Sequence, residues 1–260
     1  MTAIKVGIVG LGLIGGSIFK GLKSKGYDVV GVSKSQEGKV EGVTSDYSVL
    51  SDRDIVFVAS NMNKVIEELR AVEKYVSEDT IVSDVSSLKG FISKESFKFN
   101  FVPTHPMAGT EFTGYENSFA ELFQGAKWVI VGENVPILLK QIIEDLGAEI
   151  VVSNAKDHDE AVALISHMPM VVAQALFNTI KDNKLAKNIA SSGFRDMTRL
   201  ALSNEDMAVD MVNMNSENIQ KALLTLYASI GSLIKEDYPT KIHEIKEKRN
   251  SMYKDGKNIL

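Results

Sequence analysis

The feature that most limits how this 260-residue chain can fold lies at its start. Residues 6 to 17 read Val-Gly-Ile-Val-Gly-Leu-Gly-Leu-Ile-Gly-Gly-Ser. The apolar stretch Ile4–Val9 predicts a strand that runs straight into Gly10-x-Gly12-x-x-Gly15 and then into a helix. At that spacing Gly10 permits a tight turn, Gly12 lets the backbone approach a pyrophosphate, and Gly15 lets the helix pack close to the sheet. The positive end of the helix then faces the phosphates. Gly10, Gly12, Leu13, Ile14 and Gly15 are therefore candidate cofactor-binding residues. A glycine-rich turn in some other α/β protein is the alternative.

The segments that follow alternate between strand and helix patterns for about 150 residues. Strands are expected at Asp28–Val32, Asp54–Ala59, Thr80–Val85, Asn100–Pro103, Lys127–Val131 and Glu149–Val152. Helices are expected at Ile14–Lys25, Lys64–Val76 and Pro136–Leu146. Near-continuous β-branched runs indicate strands buried on both faces, hence a mostly parallel, doubly wound sheet. From about Asn154 the β-rich runs stop. Helical patterns then cover Asp157–Ile180, Leu185–Ala190, Asp206–Met214, Ser216–Glu236 and Thr240–Tyr253. The expected division is a dinucleotide-binding domain over 1–153 and an all-helical domain over 154–260. An apolar helical array of this size can complete a substrate cleft and form the core of a homodimer.

Net charge is −5, which argues against a nucleic-acid partner and leaves no polybasic membrane patch. The chain has no cysteine, so disulfides and thiolate metal sites are excluded, and no metal is expected. No apolar run is read as long enough to span a membrane, and the early apolar stretch is broken by the glycine turn rather than shaped as a signal peptide. A cytoplasmic enzyme acting on a small molecule fits these features.

A carboxylate at the tip of the second strand would hold the ribose 2′-hydroxyl of NAD. Here the tip reads Ser33-Lys34-Ser35, and Asp28 sits at the opposite end of the strand. Two hydroxyls and an ammonium suit a 2′-phosphate, each charge-assisted hydrogen bond being worth about 1.5–3 kcal/mol. NADP is the expected cofactor, with NAD as the alternative.

Four histidines are present, and two sit in unusual settings. His105 lies in Pro-Thr-His-Pro-Met-Ala-Gly directly after a predicted strand, where Pro106 excludes helix. His167 lies in Ser166-His-Met-Pro169 inside a predicted helix that the proline should kink. Asp84-Val-Ser-Ser-Leu-Lys89 brings Ser86 and Ser87 to another strand end. Arg195, Asp196 and Arg199 crowd one short stretch, and arginine forks suit carboxylates.

Taken together, Gly-Leu-Gly-Leu-Ile-Gly-Gly-Ser, Asp84-Val-Ser-Ser-Leu-Lys, His105-Pro-Met-Ala-Gly, Ser166-His-Met-Pro and Gly193-Phe-Arg-Asp-Met-Thr-Arg resemble the prephenate dehydrogenase family. The resemblance covers residues 6 to 199, in the family's order. It implies an NAD(P)-binding domain, a helical domain that makes an intertwined homodimer, and the oxidative decarboxylation that leads to tyrosine. It makes His105 the base that takes the ring hydroxyl proton, with Ser87 orienting hydroxyl and imidazole. Arg199 pairs with the ring carboxylate, while Ser166, His167 and Arg195 belong to the substrate side. Ser60 and Asn61 border the nicotinamide half of the cofactor.

Two departures matter. Many prephenate-using members carry a second histidine where this chain has Met170, which cannot donate a hydrogen bond. That leaves prephenate and arogenate, which bears an amine there, both open. The 260 residues also hold no regulatory ACT or mutase domain, so any feedback by tyrosine is expected at the active site. Rival readings are a β-hydroxyacid-type or pyrroline-carboxylate-type reductase of similar plan and a non-catalytic NADP-sensing module. The mixed-charge segment Lys241–Lys257 reads as a solvated helix face, with Lys248 or Arg249 reaching a neighbouring subunit as the alternative.

Overall fold

The structure is a computed structural model that describes residues 3–235 and 237–253. Its first part alternates strand and helix: β1 (Lys5–Val9), α1 (Leu13–Ser24), β2 (Asp28–Val32), β3 (Val43–Thr44), β4 (Ile55–Val58), α2 (Val65–Val72), β5 (Ile81–Asp84) and β6 (Asn100–Phe101). These strands form one parallel sheet in the order β3-β2-β1-β4-β5-β6. The order reverses beside β1, which places a crevice at the carboxyl ends of β1 and β4. All four residues of β4 are buried. Ile55 and Phe57 join one apolar layer with Val6, Ile8 and Ile18, while Val56 and Val58 join the opposite layer with Val65 and Leu69. Period-two alternation thus feeds two cores from one strand, which is why its sequence reads as uniformly apolar.

The strands after β6 depart from the expected continuation of that series. β7 (Thr104–Pro106), β8 (Lys127–Val131) and β9 (Glu149–Ser153) form a separate three-stranded sheet, with α3 (Ile137–Asp145) linking β8 to β9. β7 runs antiparallel to β8, and β9 runs parallel to it. His105 is therefore on a short strand rather than in a loop, in register with Val129. Pro106 fits there because β7 is an edge strand and misses no ladder bond on its open side.

The second part is helical: α4 (Ala155–Val162), α5 (Met168–Ile180), α6 (Lys184–Ile189), α7 (Ser192–Thr198), α8 (Glu205–Met214), α9 (Ser216–Lys235) and α10 (Tyr238–Met252). Asparagine side chains set three of the starts: Asn154, Asn183 and Asn204 accept from the backbone N–H groups of Asp157, Ala186 and Met207. The kink expected at Pro169 takes another form. Ala163–His167 is a single π-helical turn between α4 and α5, and it absorbs the proline by widening rather than breaking the helix. The Ser191–Arg199 motif, given no helix from sequence, forms α7 followed by a 3₁₀ turn at Arg199–Leu202. Glu236 and residues 254–257 of the basic terminal segment lie outside the described residues.

One membrane expectation is corrected. The stretch Ala155–Ile180 is long and apolar enough to cross a membrane by length and composition alone. Between Ala161 and Ile180 it has no Asp, Glu, Lys or Arg, but Ser166, His167, Pro169 and Gln174 interrupt the apolar run and hid its length. Within the fold this stretch forms one wall of the cleft described next.

Candidate active site

The turn between β1 and α1 has the geometry its glycines imply. Gly10 has φ +87°, and a Cβ there would stand 2.7 Å from the Ala59 carbonyl oxygen. A Cβ on Gly15 would lie 1.9 Å from the Gly10 carbonyl oxygen, so only glycine lets α1 approach the turn. Gly12 differs: a Cβ there meets nothing within 4 Å. The space over Gly12 is open, so its backbone can be approached closely from outside the chain. The first turn of α1 carries no acidic residue and no side-chain cap, leaving its N–H groups and positive end available to an anion. Ser33, Lys34 and Ser35 follow β2, the neighbour of β1. Glu37 of that loop accepts from the Ser45 N–H at 2.8 Å and from the hydroxyls of Ser45 and Thr44.

A cleft of about 730 Å³ opens beside this turn. Gly12, Leu13 and Ile14 line it from β1–α1, Ser60 and Asn61 from the end of β4, and Ser86 and Ser87 from the end of β5. His105 and Met107 enter from β7. The helical part closes it with Ser166, His167, Met170 and Arg199, and with Asp206 and Asp210 one turn apart on α8. Gly10 and Gly15 lie behind the lining, and Ser33–Ser35 lie outside it. Arg195 is not brought to the cleft: it is exposed and pairs with Asp196 at 3.4 Å.

His105 is one end of a buried hydrogen-bonded chain. Its Nδ1 lies 2.9 Å from His158 Nε2, and His158 Nδ1 lies 2.8 Å from Asp159 Oδ1. Asp159 also accepts from the backbone N–H groups of Lys89, at 2.9 Å, and Gly90, at 2.8 Å. Burial pushes the Asp159 carboxyl up, but the hydrogen bonds from His158 and these two N–H groups outweigh it and hold the group below its usual value. An ionised carboxylate can only accept, so His158 donates from Nδ1 and turns Nε2 toward His105 Nδ1; in the tautomer where that Nε2 accepts, His105 is the donor. His105 then donates from Nδ1, and its lone pair is left on Nε2. Burial holds the His105 pKa well below the ordinary histidine value, reinforced by the Lys89 ammonium.

His167 is ordered by a second set of bonds. Asn215 donates through Nδ2 to the Asp159 backbone carbonyl at 2.9 Å and lies 3.2 Å from His167 Nδ1. Nδ1 therefore accepts, and the ring proton sits on Nε2, which is buried without a partner. Burial lowers the His167 pKa to about 4. Met170 is 3% exposed and packs with Met62, Leu88, Val162 and Met211.

Sequence reasoning singled out His105 and His167 but passed over His158, Asp159, Asn215 and the side chain of Lys89. The adjacent pair His158-Asp159 was the available signal. It lies in Asp157-His-Asp-Glu160, which reads as a solvated helix start. Among the described residues no group of three or more His, Asp or Glu side chains is placed to hold a metal ion.

Two family models match this chain, the prephenate dehydrogenase nucleotide-binding domain over residues 20–152 and the prephenate dehydrogenase dimerization domain over residues 154–241. The chain belongs to the prephenate dehydrogenase family. Relatives in this family include the prephenate dehydrogenase of Lactococcus lactis, 28% identical over 234 residues covering 82% of this chain. The cyclohexadienyl dehydrogenase of Zymomonas mobilis is 28% identical over 261 residues, covering 90% of this chain and 88% of its own length. The chain spans 65% of the length of the Lactococcus protein and 64% of that of the Bacillus subtilis prephenate dehydrogenase. Among solved structures, Synechocystis arogenate dehydrogenase superposes with a TM-score of 0.79 at 30% identity, over 96% of this chain and 99% of that one. Aquifex aeolicus prephenate dehydrogenase, solved with hydroxyphenyl propionate and NAD+, gives 0.83 at 28% identity, over 97% and 99%.

Proposed function

We propose that this chain is a dehydrogenase of tyrosine biosynthesis that oxidatively decarboxylates a cyclohexadienol carrying a ring carboxylate. The observation that carries this reading is a single cleft lined by His105, Arg199 and the Gly12–Ile14 turn. A β-hydroxyacid-type reductase or a non-catalytic dinucleotide sensor has no need of that combination.

The residues present fit a nicotinamide dinucleotide. The open space over Gly12 and the uncapped start of α1 would take the pyrophosphate, and Ser60 and Asn61 would border the nicotinamide half. When bound, the cofactor supplies the hydride acceptor. NADP is the preferred form: Ser33, Lys34 and Ser35 stand at the β2 tip, where two hydroxyls and an ammonium suit a 2′-phosphate.

His105 Nε2 accepts the ring hydroxyl proton as the carbonyl develops, a role that requires the neutral imidazole that burial favours. The proton's charge is then shared along His158 toward Asp159, which stabilises the imidazolium without moving a second proton. Ser87 orients the hydroxyl, and Arg199 pairs with the ring carboxylate to hold the ring for loss of carbon dioxide. Ser166 faces the substrate side chain, with His167 in the wall behind it.

Arogenate is the favoured substrate. Asp206 and Asp210 line the cleft on α8 and suit an ammonium, whereas Met170 offers a keto-acid side chain no donor. The working unit is a homodimer formed through the helical part. A steady-state comparison of prephenate and arogenate, each with NAD and NADP, tests the assignment. Highest kcat/KM is expected for arogenate with NADP. Turnover of none of the four combinations refutes the function, and a preference for prephenate or NAD refutes the finer choices.

A further inference from the structure

Lys89 is fully buried, and a lysine is seldom buried unless it is paired. Its ammonium lies against an Asp84 carboxylate that is also fully buried, and 3.2 Å from Ser86 Oγ. Asp84 Oδ2 in turn accepts from the Ser86 N–H at 3.0 Å and from the Ser86 hydroxyl. These bonds tie the segment 84–89 into a closed loop at the end of β5. Stability alone is a poor account of such a pair. Apolar residues of similar volume commonly do as well as a buried ion pair, because they avoid its desolvation cost.

What the loop fixes is more specific. The N–H groups of Lys89 and Gly90 point to the two oxygens of Asp159, one each, across the boundary between the sheet part and the helical part. Gly90 is suited to this approach, since a Cβ on it would stand 2.7 Å from Asp159 Oδ2. The same Asp159 holds His158 through Oδ1, and its backbone carbonyl holds Asn215, the partner of His167. His105 therefore depends, through His158, on where this carboxylate sits, while His167 is tied through Asn215 to the backbone of the same residue.

We propose that the Lys89–Gly90 turn is the positioning element of the histidine relay: the buried Lys89–Asp84 pair fixes the turn, and the turn's two N–H groups fix Asp159. Neither residue touches substrate in this scheme; each acts through Asp159 and His158 on His105. The kinetic part of the test rests on the functional reading above, and the spectroscopic part does not.

Two variants test it in the full chain. Gly90→Ala adds one methyl group at the carboxylate and leaves the buried pair intact. Asp84→Asn with Lys89→Met removes both charges together, so no lone buried charge is left to unfold the protein. Nitrogen NMR of the imidazoles reports the tautomers directly. The unaltered protein is expected to show protonated Nδ1 on His105 and His158, and each variant is expected to lose that single-tautomer pattern. With a turned-over substrate, kcat should fall about 10- to 100-fold while KM stays within about twofold, as misplacement of a base dictates. Gly90→Ala added to Asp159→Asn should cost no more than Asp159→Asn alone, because both act through one carboxylate. Unchanged imidazole spectra in a folded variant, or losses that multiply in the combined variant, overturn the proposal. Absence of turnover in the unaltered protein would instead sink the functional reading and leave the spectra to decide this one.

Discussion

As the proposed base, His105 shows how much of such a group is made by its neighbours. The imidazole is available because Asp159 sets the tautomer of His158 and His158 sets that of His105. His105→Asn is expected to lower turnover at least about 100-fold, the usual range for losing a general base, while cofactor binding followed by fluorescence stays intact. Undiminished turnover would remove His105 from the chemistry. The pH dependence follows from the same burial. The active form is the unprotonated ring, so activity is full above the His105 pKa and is lost as pH falls through it. Burial and the Lys89 ammonium hold that pKa well below the usual 6.5, so the acid limb of kcat/KM should fall well on the acid side of an ordinary histidine's. A limb at pH 6.5 or above would contradict the assigned environment. Of this constellation the sequence disclosed only the outer members. His105 stands out because Pro106 and the glycine of Met-Ala-Gly surround it with local constraints. His158 does not, because its flanking acids look solvated until the fold turns Asp159 toward two N–H groups supplied 70 residues earlier in the chain.

The elements divide in the same way between local and long-range causes. β2 and β8 have the ends read from sequence, because Gly26 and Gly125 near their starts and the β-branched runs are local signals. The split into two sheets was not readable, since a strand's partner is chosen by the whole topology and β7 is only three residues long. Nor was the π-helical turn, because Pro169 announces that a hydrogen bond is missing without saying how the helix adapts. Within the glycine turn the three positions make different demands, and a pair of substitutions separates them. Gly12→Ala points into open space, so it should melt as the parent does yet bind the dinucleotide at least about tenfold more weakly, as loss of one charge-assisted contact would give. Gly15→Ala drives a methyl group into the Gly10 carbonyl, so it should lose about 1–3 kcal/mol of stability, as overpacking does. Thermal melts and cofactor titrations distinguish the two. Equal melting of both variants would mean that α1 does not press on the turn.

The whole molecule carries an imbalance that a single chain does not resolve. The sheet part has two deep apolar layers, whereas α9 buries only Ile219 and Ala222 of its apolar residues. Leu224, Tyr227, Ile230 and Ile234 recur at three- and four-residue spacing along α9 and are 70%, 78%, 46% and 76% exposed. A stripe of that kind on a 20-residue helix marks a face that packs against another surface. A second copy of the same face would answer it by twofold symmetry, in keeping with the dimerization-domain match over residues 154–241. In solution the mass should then be twice the 28.5 kDa of one chain. Because the helical part would draw much of its core from the partner, the melting temperature should rise with protein concentration, as mass action requires. Tyr227→Lys with Ile234→Lys places two ammonium groups on the stripe and should halve the mass or lower the melting temperature, while cofactor binding to the sheet part survives in any folded fraction. Light scattering on both forms checks the mass. A parent protein that is monomeric at every concentration, with a melting temperature that does not move, would show that the stripe is covered some other way.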